Sequence, residues 1–239
     1  LGLLAETGLV FISDSRTNAG IDDVGTYTKM FSFGVSKERT IVILTSGNLS
    51  ITQAVLSLVE EDIDNAAPES LHSLPTMYAI ARYLGKKNRE IMALDKDILS
   101  CSNIAYDCRL IVGGQIKGHE PALYLIYAEG NSIRATPETP FLQIGETKYG
   151  KTILDRAFRF DTGLDSAARC AIISMDATMR SNLSVGPPID IAVYYKDSFE
   201  LRHKRRFPER APFLIKFRRQ WEQELQEVVT RMPMVPWDE

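Results

Sequence analysis

No apolar run among the 239 residues approaches the ~18 that a membrane-crossing helix needs. The basic, apolar and small-residue regions of a signal peptide are also missing. Cysteine is scarce and odd in number: Cys101, Cys108 and Cys170, with no CxxC pair. That pattern argues against a disulfide framework and predicts reduced thiols in a cytoplasmic protein. Histidine is equally scarce. His72, His119 and His203 fall beside expected turns or helix ends, which leaves neither a metal site nor a histidine-based triad, and no cofactor is expected. The chain contains no GxSxG elbow, HExxH helix, Walker loop or GxGxxG turn. A formal net charge of −3 with a pI near 5.8 lacks the basic excess of a nucleic-acid binder.

What is present is a well-patterned chain with 44 % hydrophobic residues, enough for one large layered domain or two small ones. Residues 1–5 and 8–13 are apolar and flank Glu6-Thr7-Gly8, the signature of a β-hairpin. Further strands are predicted at 30–35 and 40–46 around the polar turn Ser36-Lys37-Glu38-Arg39. Ile41 to Leu44 is apolar at every position, so that strand should be buried on both faces. Asn48 or Ser50 can then cap a helix whose apolar stripe is Ile51, Val55, Leu58, Val59 and Ile63. A second amphipathic helix follows through Leu74, Met77, Tyr78, Ala81 and Leu84, with Lys86, Lys87 and Arg89 expected at its C-terminal end.

Residues 109–115 and 122–128 read as a hairpin, followed by short strands at 133–136 and 141–144. The loop Gly145 to Gly150 should feed a helix at 151–158. The cleanest helical periodicity belongs to Leu164, Ala167, Ala168, Ala171, Ile172, Met175 and Met179, with Asp165, Arg169, Asp176 and Arg180 on the polar side. A Ser/Gly/Pro loop leads to a strand at 189–195 with Asp190 facing outward, and residues 199–203 are its expected partner. Strands and helices therefore come in blocks, which fits an α+β chain with two face-to-face sheets and two helices outside each. An alternating nucleotide-binding fold fits poorly.

The C-terminal region changes character. Eight Lys/Arg occur in the eighteen residues from Arg202 to Arg219, before a helix expected at 221–230 and a Pro/Met/Trp tail. The basic run reads as a solvated face or a set of subunit salt bridges. The tail has three readings: docking on a partner subunit, packing on its own domain, or disorder. Residues 1–212 are expected to form the domain, and 213–239 a helical extension.

Candidate chemistry narrows to Asp14, Arg16, Lys29, Ser181 and Ser184. Asp14 ends one strand and Lys29 enters another, so they form either a structural ion pair or an acid holding a catalytic cation. Gly113-Gly114 reads as a bulge or a close backbone approach.

Gly8 to Thr17, GLVFISDSRT, resembles the GxVxAxDxR strand of proteasome β-subunits, which are N-terminal-nucleophile hydrolases. DSRTNAG at Asp14, IGETKYGK at Ile144 and SNLSVGPPIDI at Ser181 resemble more closely the bacterial proteasome-type Anbu (ancestral β-subunit) family. This likeness covers nearly the whole chain, the C-terminal extension included.

The resemblance implies a four-layer αββα sandwich and an N-terminal threonine nucleophile whose own α-amine handles the proton. Asp14 would orient Lys29, Lys29 would lower the hydroxyl pKa, and the backbone N–H at Gly47 would hold the oxyanion. Thr17, Ala19, Gly20, Asp22, Thr45, Ser46, Asn48 and Leu49 would line the substrate pocket. Family spacing puts the nucleophile about three residues before Leu1. Thr7, Thr17, Thr26 and Thr28 have neighbours on both sides and cannot replace it. Two departures stand out. The family's RDxxSG segment reads Arg180-Ser181-Asn182-Leu183-Ser184-Val185-Gly186, keeping Ser184 but replacing the aspartate with Ser181. The serine of the glycine-rich loop has no plain counterpart, only Glu146 or Thr147. Two readings follow: a self-assembled ring or spiral of subunits cleaving peptides or unfolded protein, or a catalytically silent assembly subunit. An amidase or esterase of the same superfamily differs from the first only in substrate.

Overall fold

The computed structural model describes residues 1–18, 24–99 and 108–237. Two five-stranded antiparallel sheets carry the fold, with five helices among the described residues. The first sheet contains β1 (Gly2–Ala5), β2 (Gly8–Ser13), β10 (Phe141–Leu142), β11 (Ile189–Tyr195) and β12 (His203–Phe207), ordered β10-β1-β2-β11-β12. The second contains β5 (Met30–Val35), β6 (Arg39–Gly47), β7 (Cys108–Ile116), β8 (Ala122–Ile126) and β9 (Ser132–Arg134) in sequence order. A small ribbon, β3 (Arg16–Asn18) with β4 (Val24–Thr26), links them. The helices are α1 (Leu49–Asp64), α2 (Met77–Leu99), α3 (Lys148–Ala157), α4 (Leu164–Ser181) and α5 (Pro212–Thr230).

Strand β6 shows why the sequence packs this way. Ile41 and Ile43 join a cluster with Val55 and Val59 of α1 and Ile80 and Leu84 of α2. The alternate residues, Val42 and Leu44, join a second cluster with Leu9 and Phe11 of β2 and Tyr194 of β11. A period of two puts successive side chains on opposite faces, so a strand apolar at every position must be covered twice. A third cluster joins Val10, Ile12 and Ile191 of the first sheet to Leu154 of α3 and Ala167 and Ala171 of α4. Each large side chain removed from water in these clusters contributes about 1.5–3 kcal/mol.

The glycine pair marks a close approach between the sheets. A Cβ at Gly113 would lie 2.7 Å from both Phe11 Cε1 and Leu123 Cδ1, so the Phe11 ring occupies that space. Gln115 makes the polar link: Tyr194 Oη donates to its Oε1 at 2.7 Å, and its Nε2 donates to Asp197 Oδ1 at 2.7 Å.

Several expectations are corrected. Helix α2 runs to Leu99, so Lys86, Lys87 and Arg89 lie in its middle, and Leu74 precedes it. Its buried stripe continues through Asn88 and Ile91. Asn88 Nδ2 reaches the carbonyls of Cys108, Tyr127 and Ala128, a polar residue hidden from a periodicity reading. Lys87 pairs with Asp62 at 2.7 Å instead of capping a terminus. Helix α3 begins at Lys148, and α5 begins at Pro212, nine residues before its expected start at 221.

The partner of β11 is His203–Phe207 rather than residues 199–203. Asp197 and Phe199 have φ of 62° and 49° in the turn between them, a conformation that breaks strand pairing. Asp176 and Asp190, both expected to face solvent, are buried. Arg218 Nε on α5 lies 2.5 Å from Asp176 Oδ1, and Arg206 on β12 lies 3.1 Å from Asp190 Oδ2. The basic run is thus divided between a strand and a helix, with two of its arginines neutralising buried acids within the chain.

Candidate functional site

The end of β2, the end of β6 and the loops before α3 and after α4 converge on a cleft of about 800 Å³. Asp14 follows β2 and Lys29 immediately precedes β5, with Lys29 Nζ 2.9 Å from Asp14 Oδ1. Lys29 Nζ also donates to Arg16 O at 2.5 Å. The second oxygen of Asp14 accepts from the backbone N–H groups of Arg16 and Gly186, both at 3.2 Å. With side chains only 18 % and 12 % exposed, Lys29 and Asp14 are shielded enough for their charges to be felt across the cleft. A carboxylate with three donors has a fixed orientation, and it fixes the ammonium in turn.

Arg16 lines the same cleft, and its guanidinium donates to Leu183 O at 2.8 Å. A Cβ at Gly186 would lie 2.3 Å from Arg16 Cζ, so the Arg16 guanidinium lies directly against the Gly186 backbone. Thr45, Ser46, Gly47, Asn48 and Leu49 also line the cleft, where β6 turns into α1. Asn48 Oδ1 caps this helix by accepting from Ser50 N at 3.0 Å and Ile51 N at 3.4 Å. The positive end of the α1 dipole therefore borders the cleft.

Among the residues singled out by sequence, Asp14, Arg16, Thr17, Lys29, Thr45, Ser46, Gly47, Asn48, Leu49 and Ser184 line one cleft. Ser181 does not. It is the exposed last residue of α4 and lies outside the cleft lining. Ala19, Gly20 and Asp22 lie outside the described residues. Between the two loop residues left open, Glu146 lines the cleft and Thr147 sits at the start of α3.

Sequence reasoning missed Tyr27, Gln143, Ser174, Met175 and Thr178, all in the lining. Ser174, Met175 and Thr178 share one face of α4, so helical spacing was their only available signal. It also missed Asn182, whose Nδ2 donates to Glu146 Oε2 at 2.9 Å and whose Oδ1 accepts from Ser184 Oγ at 2.6 Å. The Glu146 carboxyl is held below the usual glutamate range by the backbone N–H of Lys148 and by Asn182. Behind Asp14, Ser15 Oγ lies 3.4 Å from Asp190 Oδ2 and 3.3 Å from an Arg206 nitrogen. Burial raises the Asp190 pKa, while Arg206, Lys204 and Ser15 pull it back down. Among the described residues, no cluster of His, Cys, Asp and Glu is arranged to hold a metal ion, and no helix is long and apolar enough to cross a membrane.

Comparison with solved structures gives the fold its relatives. Anbu from Yersinia bercovieri is 41 % identical, matching 98 % of this chain and 97 % of that one with a TM-score of 0.92. The subunit of the helical Anbu assembly from Pseudomonas aeruginosa is 47 % identical, with 99 % and 97 % coverage and a TM-score of 0.93. Anbu from Hyphomicrobium sp. strain MC1 is 40 % identical, with 98 % and 97 % coverage and a TM-score of 0.88. No protein-family model matches the chain, and no curated protein sequence does. Two antiparallel sheets with their helices, at this level of identity to proteasome-type subunits, define a proteasome-β-subunit-like member of the N-terminal-nucleophile hydrolases. Within that class the chain belongs to the Anbu (ancestral β-subunit) family.

Proposed function

We propose that this protein is a threonine hydrolase, acting as a peptidase, whose nucleophile lies about three residues before Leu1. The observation that carries this reading is Lys29, held between the Asp14 carboxylate and the Arg16 carbonyl at the edge of the cleft. In the register of β1 with β2, Leu1 N donates to Ile12 O at 3.0 Å. Continuing that strand upstream at ~3.3 Å per residue carries the chain past Ser13 and Asp14 towards Lys29. A threonine hydroxyl there attacks the substrate carbonyl while its α-amine takes the proton. The oxyanion forms beside the backbone N–H at Gly47, and the amine returns the proton to the departing peptide amine. Water then hydrolyses the ester left on the threonine. The Lys29 ammonium, held by Asp14, stabilises the alkoxide-like hydroxyl oxygen.

The three apolar clusters support reading the chain as a four-layer αββα sandwich, with residues 213–239 as an extension. Phe213, Leu225, Val229, Met234 and Trp237 leave apolar surface exposed along that extension. Together with the helical assembly described for the Pseudomonas aeruginosa relative, this supports self-association into a many-subunit ring or spiral. Peptides or unfolded segments are the substrate class.

Intact-mass and N-terminal sequencing of the purified protein test the reading. A mature amino terminus of threonine, serine or cysteine is expected; any other residue ends the hydrolase assignment. A second reading, a catalytically silent assembly subunit, draws on Ser181 lying outside the cleft. Failure of a threonine-directed covalent inhibitor to add mass to the protein would favour it.

A further inference from the structure

Ser184 is an exposed residue in a loop, and a hydroxyl there would ordinarily rotate and exchange its hydrogen with water. Here its surroundings leave it one choice. Glu146 lies on the other loop at the cleft mouth and is held charged by the Lys148 N–H at 2.9 Å and by Asn182. A charged carboxylate can only accept hydrogen bonds, so the Asn182 amide must turn its NH₂ group towards Glu146. The Asn182 oxygen then faces the other way. It accepts from both the backbone N–H of Ser184, at 2.9 Å, and the Ser184 hydroxyl, at 2.6 Å. The single hydrogen of the hydroxyl is thereby committed to Asn182. Only lone pairs remain for the cleft.

We infer that Glu146 is a positioning residue that acts through Asn182 to make Ser184 Oγ a fixed hydrogen-bond acceptor facing the cleft. This polarity suits an N–H donor, such as the α-amine of the proposed nucleophile, and would repel a carbonyl oxygen. It also gives the cleft a second carboxylate, beyond Asp14, from a loop 36 positions away from Asn182. Ser181, exposed at the end of α4, has no part in the relay. The reversed arrangement, with the Asn182 oxygen against the carboxylate, would place acceptor against acceptor. The Glu146 carboxylate, which can only accept, and the Ser184 backbone N–H, which can only donate, together set the direction of the whole chain of bonds.

The kinetic arm of the test rests on the hydrolase reading; the structural arm does not. With the full chain and a panel of fluorogenic peptides, Glu146→Ala, Asn182→Ala and Ser184→Ala should each lower kcat about tenfold while KM stays within about twofold. The double variant Glu146→Ala/Ser184→Ala should fall no further than Ser184→Ala alone, because both changes remove the same acceptor. Losses that multiply in the double variant would overturn the relay. Crystal structures of the wild type and of Glu146→Ala form the second arm. Asn182 should turn away and its 2.6 Å contact with Ser184 Oγ should open in the variant. An unchanged contact overturns the inference whatever the turnover. If the wild type cleaves no peptide, the hydrolase reading fails, and the crystal structures alone still decide this one.

Discussion

Asp14 and Lys29 stand fifteen positions apart in the chain and 2.9 Å apart in the cleft. Asp14 is held by the turn after β2, and Lys29 by the entry to β5, whose backbone carbonyl accepts from Thr45 N at 3.0 Å. The pair therefore joins the two sheets at the point where the cleft opens. Its geometry does not depend on the long side chain of Lys29 finding its own way, since the Arg16 carbonyl takes a second ammonium hydrogen.

Lys29→Ala should abolish peptide turnover, by about 100-fold or more, while leaving the fold intact. Asp14 keeps its bonds from the Arg16 and Gly186 N–H groups, so the stability cost should be only about 1–3 kcal/mol. Turnover measured beside a denaturant melt checks both halves. A variant that cleaves at the wild-type rate would count against the assigned role.

Arg218 should matter more than its neighbour Arg180. Arg218 neutralises the buried Asp176, whereas Arg180 pairs with Glu222 on the surface. Arg218→Ala should cost about 1–3 kcal/mol and expose α5 to limited proteolysis, because an unpaired carboxylate is left buried. Arg180→Ala should cost less than about 1 kcal/mol. Equal effects of the two would contradict this account of how α5 docks.

The pH dependence of stability should carry a signature of Asp190. Burial raises its folded-state pKa above the ordinary aspartate value, while Arg206, Lys204 and Ser15 pull it back down. A raised carboxyl pKa means the native state holds the proton more tightly. The contribution to stability is thus fully present below the unfolded value of ~4 and is lost as pH rises through the folded value. Relative to Asp190→Asn, the wild type should lose melting temperature over that interval and then run parallel to it. Melts in half-unit pH steps read the difference. A gap that stays constant, or moves the other way, rejects the assignment.

Gly113→Ala should destabilise the chain by about 1–3 kcal/mol without touching the cleft. The added methyl would meet the Phe11 ring and Leu123 at 2.7 Å, forcing the two sheets to shift. Combining it with Phe11→Leu should recover part of the loss, since the smaller side chain vacates that space. Chemical denaturation of the three variants measures it. No recovery would mean that the strain lies elsewhere.

Much of this was legible in the chain itself. The hairpin at the start, strands Met30–Val35 and Ile189–Tyr195, a helix cap at Asn48 or Ser50 and the long α4 stripe follow from local sequence patterns. Asp14 and Lys29 drew attention because they flank strands and few other residues could do chemistry. Asp176 and Asp190 were misread for a related reason. Their positions on helix and strand were right, but a charged residue is expected to face water, and only a distant arginine reverses that expectation.

What the sequence determined by itself was most of the strands and helices, the apolar faces they must bury and the acid and lysine at the strand ends. Each of those depends on neighbours within a turn of helix or a few residues of strand. The tertiary structure decided which acids are buried, since Arg218 is 42 positions from Asp176 and Gly186 is 172 from Asp14. It also decided that Glu146, rather than Ser181, brings its side chain to Asn182, which in turn holds Ser184. Contacts between distant loops are set by how the sheets and helices pack, and no local period records them.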